Sequence, residues 1–166
     1  VVVIDANFRN PSLYRDADLT SKLTMPLSEL ILDIQNRLNT NDNPKHINLT
    51  HQLTYDNKGI GYLANIRPVQ NSYEYFGTSA FTVILENLKA SYDWVLVETP
   101  SVSMAPETLV IAQKSDAFLL ITTLKVTYSV LNAITDKLKK AEIPFLGCII
   151  RDKDSKTVKK YLEFLK

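Results

Sequence analysis

The sequence predicts an α/β fold, three layers deep, with a mostly parallel sheet flanked by helices. Three observations carry that expectation. Short, nearly continuous apolar runs recur along the chain, as strands covered on both faces require. Segments with helical apolar spacing separate them. The 166 residues, 45% of them hydrophobic, suffice for a single core of ordinary size.

The elements follow in order. VVVID at 1–5 is the first strand, and PLSELILDIQNRL at 26–38 has the apolar stripe of a helix. The stretch 39–57, rich in Asn, Thr and Asp, has little periodicity and reads as a long, mobile, polar surface excursion. Its His46 and His51 have no Cys or third His nearby, which is poor material for a metal site. GYLANI at 61–66 is a weaker strand candidate. A helix (79–92), the strand WVLVET (94–99), a helix (106–115) and the strand AFLLITT (117–123) come next. The helix 129–142 and the strand FLGCII (145–150) complete the alternation. In the tail, Val158, Tyr161, Leu162 and Leu165 share one face of a short helix, which makes Tyr161 a packing residue. One domain covering 1–166 is expected.

Charge excludes some classes. Nineteen basic residues against 18 acidic ones leave a net charge of +1, so no global field draws the chain to nucleic acid or anionic lipid. The single cysteine, Cys148 in FLGCII, can form no internal disulfide, fits a reducing compartment and reads as a small buried core residue. No run approaches the roughly 18 apolar residues of a membrane span. Work at a membrane would require an anchor outside these residues.

In open α/β sheets ligands sit beyond the carboxyl ends of the strands. Two apolar runs end there on acids, Asp5 in VVVIDAN and Glu98 in WVLVETPS. Acids on neighbouring parallel strands can hold a magnesium ion through its waters and so position a nucleotide phosphate. They can equally cap the following helices or pair with Arg9.

VVVIDANFR, continued by NPSLY, resembles the second acidic motif, a hydrophobic run then D-x-D-x-R, of the bacterial tyrosine kinases, a branch of the MinD/ParA-like P-loop ATPases. SAFTVILENLKASYDWVLVETPS resembles that family's helix, tyrosine-aspartate pair, strand and D-T-P-P. The resemblance continues through PETLVIAQKSDAFLLITTLKVT and AEIPFLGCII, leaving out the polar excursion and the tail. It implies a P-loop NTPase-like fold of MinD/ParA type, with Mg and ATP as cofactors. Asp5 and Glu98 would then be the catalytic and metal-side acids, and Asn7, Arg9 and Arg151 would line the nucleotide.

Departures from the family pattern are specific. Asn7 stands where a second aspartate is expected, Glu98 replaces an aspartate, Ser101 a proline, and Arg151 the asparagine that reads the purine. None of the four glycines, at 59, 61, 77 and 147, begins G-x-x-x-x-G-K-[ST], whose amides and lysine would surround the phosphates. Val1 is therefore expected to start on the second strand of the family fold, the first strand and phosphate loop being outside these residues or lost. A tyrosine-rich phosphoacceptor tail is also missing, and Tyr73 and Tyr75 form the only close tyrosine pair.

The expectation is a kinase-like domain of a capsular or exopolysaccharide export or chain-length system, weakened in catalysis and acting in assembly. By resemblance it would be a homo-oligomer at the cytoplasmic face of the bacterial plasma membrane, held by a membrane-anchored polysaccharide co-polymerase segment or subunit, with no nucleic-acid partner. The alternatives are an active autokinase whose phosphate loop lies upstream, a MinD/ParA-type ATPase, and a receiver-like signalling domain in which Lys125 follows a late strand.

Overall fold

The computed structural model describes residues 1–19, 24–40 and 47–151. The expectations for His46 and for the tail, Tyr161 included, lie outside the described residues. The described residues form two compact units that divide after Ile111.

In the first unit the apolar run at the N-terminus becomes β1 (Val2–Asp5), one of the two inner strands of a four-stranded sheet. It pairs in parallel with β3 (Gly61–Leu63) on one side and β4 (Val95–Glu98) on the other. A two-residue strand β2 (Thr54–Tyr55) adds antiparallel to β3, giving the order β2-β3-β1-β4. The β2–β3 turn is shaped by Asp56, whose Oδ1 accepts from the Lys58 and Ile60 amides, and by Gly59 at φ 77°, where a side chain would be strained.

The period-two alternation of β1 sends side chains to two different cores. Val2 and Ile4 join Leu63 on one face, beneath the helices α2 (Leu27–Asn39), α3 (Ser72–Phe76) and α4 (Ser79–Ser91). Leu30, Ile31 and Ile34 of α2 meet Phe81, Ile84 and Leu88 of α4 there, and Phe8, Phe76 and Phe81 stack edge-on or tilted at 4.6–5.0 Å between ring centres. Val3 points the other way, into a smaller cluster with Tyr62, Ala64, Leu19 and Tyr14 of the short helix α1 (Leu13–Asp16). Helices thus cover both faces of this sheet, as the three-layer expectation requires. The start of α4 matches its sequence: the Phe81 amide donates to Thr78 Oγ1 at the N-cap.

The excursion at 39–57 differs from the expectation in its described part. Leu49 and Leu53 are buried in the main core, Thr54 and Tyr55 form β2, and the Ile47 amide donates to Asn87 Oδ1 of α4 at 2.8 Å. Two leucines in a polar stretch are too few to show periodicity, yet enough to anchor a loop.

After β4, α5 (Glu107–Gln113) carries the chain across the division between the units. The second unit is a right-sized βαβ motif: β5 (Phe118–Thr122), α6 (Tyr128–Lys140) and β6 (Phe145–Ile150), with β5 and β6 parallel. Ile134 and Leu138 of α6 and Ile143 are buried. Cys148 is exposed, which corrects its reading as a core residue. In β6, Leu146, Ile149 and Ile150 are also exposed, because an apolar run marks a strand without saying how much is packed over it. Among the described residues no helix is long and apolar enough to cross a membrane.

Candidate functional site

The parallel register of β1 and β4 sets Asp5 opposite Glu98. Neighbouring strands run about 4.8 Å apart, so the two acids sit side by side at the carboxyl edge of the sheet. The alternation that turns Val3 away from the main core turns Asp5 to the same face.

Their surroundings differ. Asp5 is fully buried, and its carboxylate is engaged by backbone: Oδ1 accepts from the Asn7 amide at 2.9 Å, and Oδ2 from the Ser12 and Leu13 amides at 3.1 and 3.0 Å. It therefore caps the entry to α1 across a seven-residue loop, supplying what Ser12, at the N-cap without a capping bond of its own, does not. Burial pushes the Asp5 carboxyl above its ordinary value, and the three amide bonds oppose that rise. Glu98 is exposed, and its carboxyl is also pushed up, first by partial desolvation and then by the negative charges of Asp5 and Asp16. Among the described residues no Lys or Arg forms an ion pair with it.

Arg9 pairs with neither acid. Its Nε and Nη2 donate to Glu107 at 2.7 and 3.3 Å, and Ser72 Oγ donates to the same carboxylate at 2.6 Å. Glu107 is fully buried; burial opposes its ionisation, but the bonds from Arg9 and Ser72 prevail and hold the carboxyl below its ordinary value. The arrangement ties the loop after β1 to the first turns of α3 and α5. Asn7 stays with Asp5, its amide on Oδ1, while its own Oδ1 accepts from the Asn10 amide. Arg151 lies in the second unit, at the end of β6, its amide donating to the Thr122 carbonyl at 2.7 Å.

These residues can be tested against a magnesium nucleotide. Asp5 and Glu98 form a negative pair without a protein counter-ion among the described residues, and relief of their mutual repulsion favours a cation there. Three amides on Asp5 leave it little free acceptor capacity, and no group of three or more His, Cys, Asp or Glu side chains could hold a metal among the described residues. A cation would rest on Glu98, on the remaining lone pair of Asp5 and on water. For the phosphates, the 166 residues contain no glycine-rich loop with its lysine. The metal side fits in part, and the phosphate side does not fit from these residues alone.

Sequence reading did not find Glu107, Ser72 or Asn65. The Arg9–Glu107 pair spans 98 positions, and no local pattern announces it. Asn65 Oδ1 accepts from the amide and the hydroxyl of Ser28, so it caps α2 from another segment in place of Pro26, which offers no side-chain cap.

Parallel strands around an acid-tipped β1, with helices on both faces, form a fold that this chain shares with solved bacterial tyrosine kinase domains and MinD ATPases. The likeness is one of fold, at low sequence identity. The VpsO kinase domain superposes with a TM-score of 0.72 at 18% identity, over 92% of this chain and 70% of that one. The kinase domain of the Escherichia coli tyrosine kinase ETK gives 0.75 at 18%, over 93% of this chain and 57% of that one. The cell division ATPase MinD of Pyrococcus furiosus gives 0.64 at 14%, over 98% of this chain and 66% of that one. The chain thus spans little more than half of the ETK domain. No protein-family profile matches it, and no curated protein does.

Proposed function

We propose that this chain is a tyrosine-kinase-like domain of a capsular or exopolysaccharide export or chain-length system, in which these residues serve binding and assembly more than phosphoryl transfer. The observation that carries the reading is the juxtaposition of Asp5 and Glu98 at the carboxyl edge of a fold shared with kinase domains. Emphasis on assembly is supported by the state of those residues: Asp5 is committed to three amides, Arg9 is committed to Glu107, and Asn7 brings no charge. Bound magnesium ATP would supply an electrophilic phosphoryl group and the charge to screen the two acids. Toward it Glu98 would act as the exposed ligand and Asp5 as the buried charge that fixes the edge, while Asn7 and Arg9 would shape the adjoining loop.

Isothermal titration with magnesium ATP tests this directly: residues 1–166 are expected to bind weakly or not at all, because an unneutralised triphosphate is not held by an edge carrying two acids. Micromolar affinity would overturn this expectation and demand a phosphate site within these residues, for which Lys125 and Arg9 are the first candidates; the second reading is an active ATP-dependent autokinase. That second reading draws on the same Asp5–Glu98 pairing and requires a phosphate loop from residues preceding Val1. Homo-oligomerisation, and attachment to the inner face of the plasma membrane through a polysaccharide co-polymerase partner, belong to the same proposal.

A further inference from the structure

Charge is distributed unevenly along a chain that is close to neutral as a whole. The residues up to Ile111, where the two units divide, include 8 basic and 12 acidic ones, and those after it 11 and 6. Two helices of 13 residues, α2 in the first unit and α6 in the second, carry this contrast on exposed faces. On α2, Glu29, Leu32 and Asp33 stand together at helical spacing, all exposed, with Leu32 49% accessible between the two acids. On α6, Val130, 42% exposed, and the exposed Ala133 lead along one face to Lys137 and Lys140, which are exposed as well. The opposing charges are few: Arg37 in the last turn of α2, and Asp136 as the single acid of α6 against three lysines. Among the described residues Glu29, Asp33, Lys137 and Lys140 form no ion pair. A lone exposed leucine or a solvated lysine is ordinary. What sets these two faces apart is that each joins apolar surface to one sign of charge, and the signs are opposite.

We infer that α2 of one copy docks antiparallel against α6 of a second copy through these faces. Antiparallel packing sets the N-terminal half of α2, which holds both acids, against the C-terminal half of α6, which holds the lysines. Leu32 then covers Ala133 and Val130, while Glu29 and Asp33 meet Lys137 and Lys140. The helix dipoles agree with this placement, since acids are favoured near a helix N-terminus and cations near a C-terminus. A second copy is the occupant because the chain itself supplies the complementary face, matched in helix length and opposite in sign. Few apolar groups take part, so the charges fix register and encounter while the contact stays weak. Two different surfaces meet, which makes the contact heterologous and lets each copy engage two neighbours. The inference gives a surface to the homo-oligomerisation proposed above and rests on that part of the reading; nucleotide has no role in it.

Sedimentation equilibrium of the full chain at low and high sodium chloride tests it. Self-association is expected to weaken about tenfold between about 25 and 300 mM salt, because exposed charge pairs are screened. Glu29→Lys with Asp33→Lys, and separately Lys137→Glu with Lys140→Glu, place like charges on the contact, and each pair of changes should weaken self-association about tenfold at low salt. An equimolar mixture of the two variants should recover it, since each then offers the other a face of opposite sign. Circular dichroism verifies that both are folded, and Asp33→Lys alone replaces the first variant where reversal in the first turn of α2 unsettles the helix. Association that is indifferent to salt and to both reversals would overturn the contact and leave homo-oligomerisation to another surface. Loss in both variants without recovery in the mixture would also overturn it. A wild type that stays monomeric at every concentration would overturn the contact and homo-oligomerisation together.

Discussion

Glu107 and Glu98 follow each other within ten positions in sequence and lie in opposite electrostatic situations. Glu107 is buried and held ionised by Arg9 and Ser72; its carboxyl lies below the ordinary 4.5, so its stabilising contribution is present above that value and lost as pH falls through the lowered one. Glu107→Ala should cost about 2–3 kcal/mol at neutral pH, the scale of hydrogen bonds to a charged group, and the difference from wild type in urea midpoint should shrink on acidification. Glu98 is raised above its ordinary 4.5 by desolvation and by Asp5 and Asp16, so its ionisation destabilises the fold increasingly as pH rises from 4.5 through the raised value. Glu98→Gln should therefore stabilise by roughly 0.2–1 kcal/mol at neutral pH and by nothing below the ordinary value. Thermal melts at pH 4 and pH 7, each about a Debye-screened comparison at matched salt, check the sign. A stabilising Glu107→Ala or a destabilising Glu98→Gln would contradict these assignments.

At the level of the element, α1 is four residues long and has too few internal bonds to persist alone. It exists because Asp5, at the end of β1, accepts from the Ser12 and Leu13 amides, and because Tyr14 fills the small cluster on that face of the sheet. Asp5→Ala should cost about 2–4 kcal/mol, since it removes a buried carboxylate and its three charge-assisted bonds from half-buried amides. Hydrogen exchange should accelerate at Ser12, Leu13 and Asp16 well before it does in α2 or α4. If exchange in α1 stays unchanged, the carboxylate is not what holds it. Unlike Asp5→Ala, Asp5→Asn keeps Oδ1 and should lose less.

For the whole molecule, the consequence lies in strand edges. Among the described residues β4 pairs only with β1, and β5 only with β6, so each unit presents a strand with one unsatisfied side. Trp94 and Leu96 on β4 and its approach are 66% and 50% exposed, which places apolar side chains next to unpaired amides. A soluble chain has strong reason to cover such an edge. Light scattering of residues 1–166 is expected to show concentration-dependent self-association, and Leu96→Lys, which places a charge on that strand, should shift it toward monomer. A monomer at every concentration, in wild type and variant alike, would remove edge pairing as a driver of assembly.

The sequence by itself determined the alternation of strands and helices and the two acids that end β1 and β4, because apolar periodicity and the residue that terminates it are local properties. Which strands are neighbours and which register they take was decided by the folded sheet: side-chain alternation alone leaves shifts of two residues open, and the pairing of β1 with β4 is what sets Asp5 opposite Glu98. Only the tertiary structure decided what these acids touch. That Asp5 would spend its oxygens on the amides of a following loop, that Arg9 would reach a glutamate 98 positions away, and that Asn65 would cap a helix begun at Leu27 all depend on contacts between segments distant in sequence. The same holds for the burial of Leu49 and Leu53 in a polar stretch and the exposure of Cys148 in an apolar one. A residue's type states what it can bond or bury, while the partner that uses this capacity is supplied by chain folded back from elsewhere.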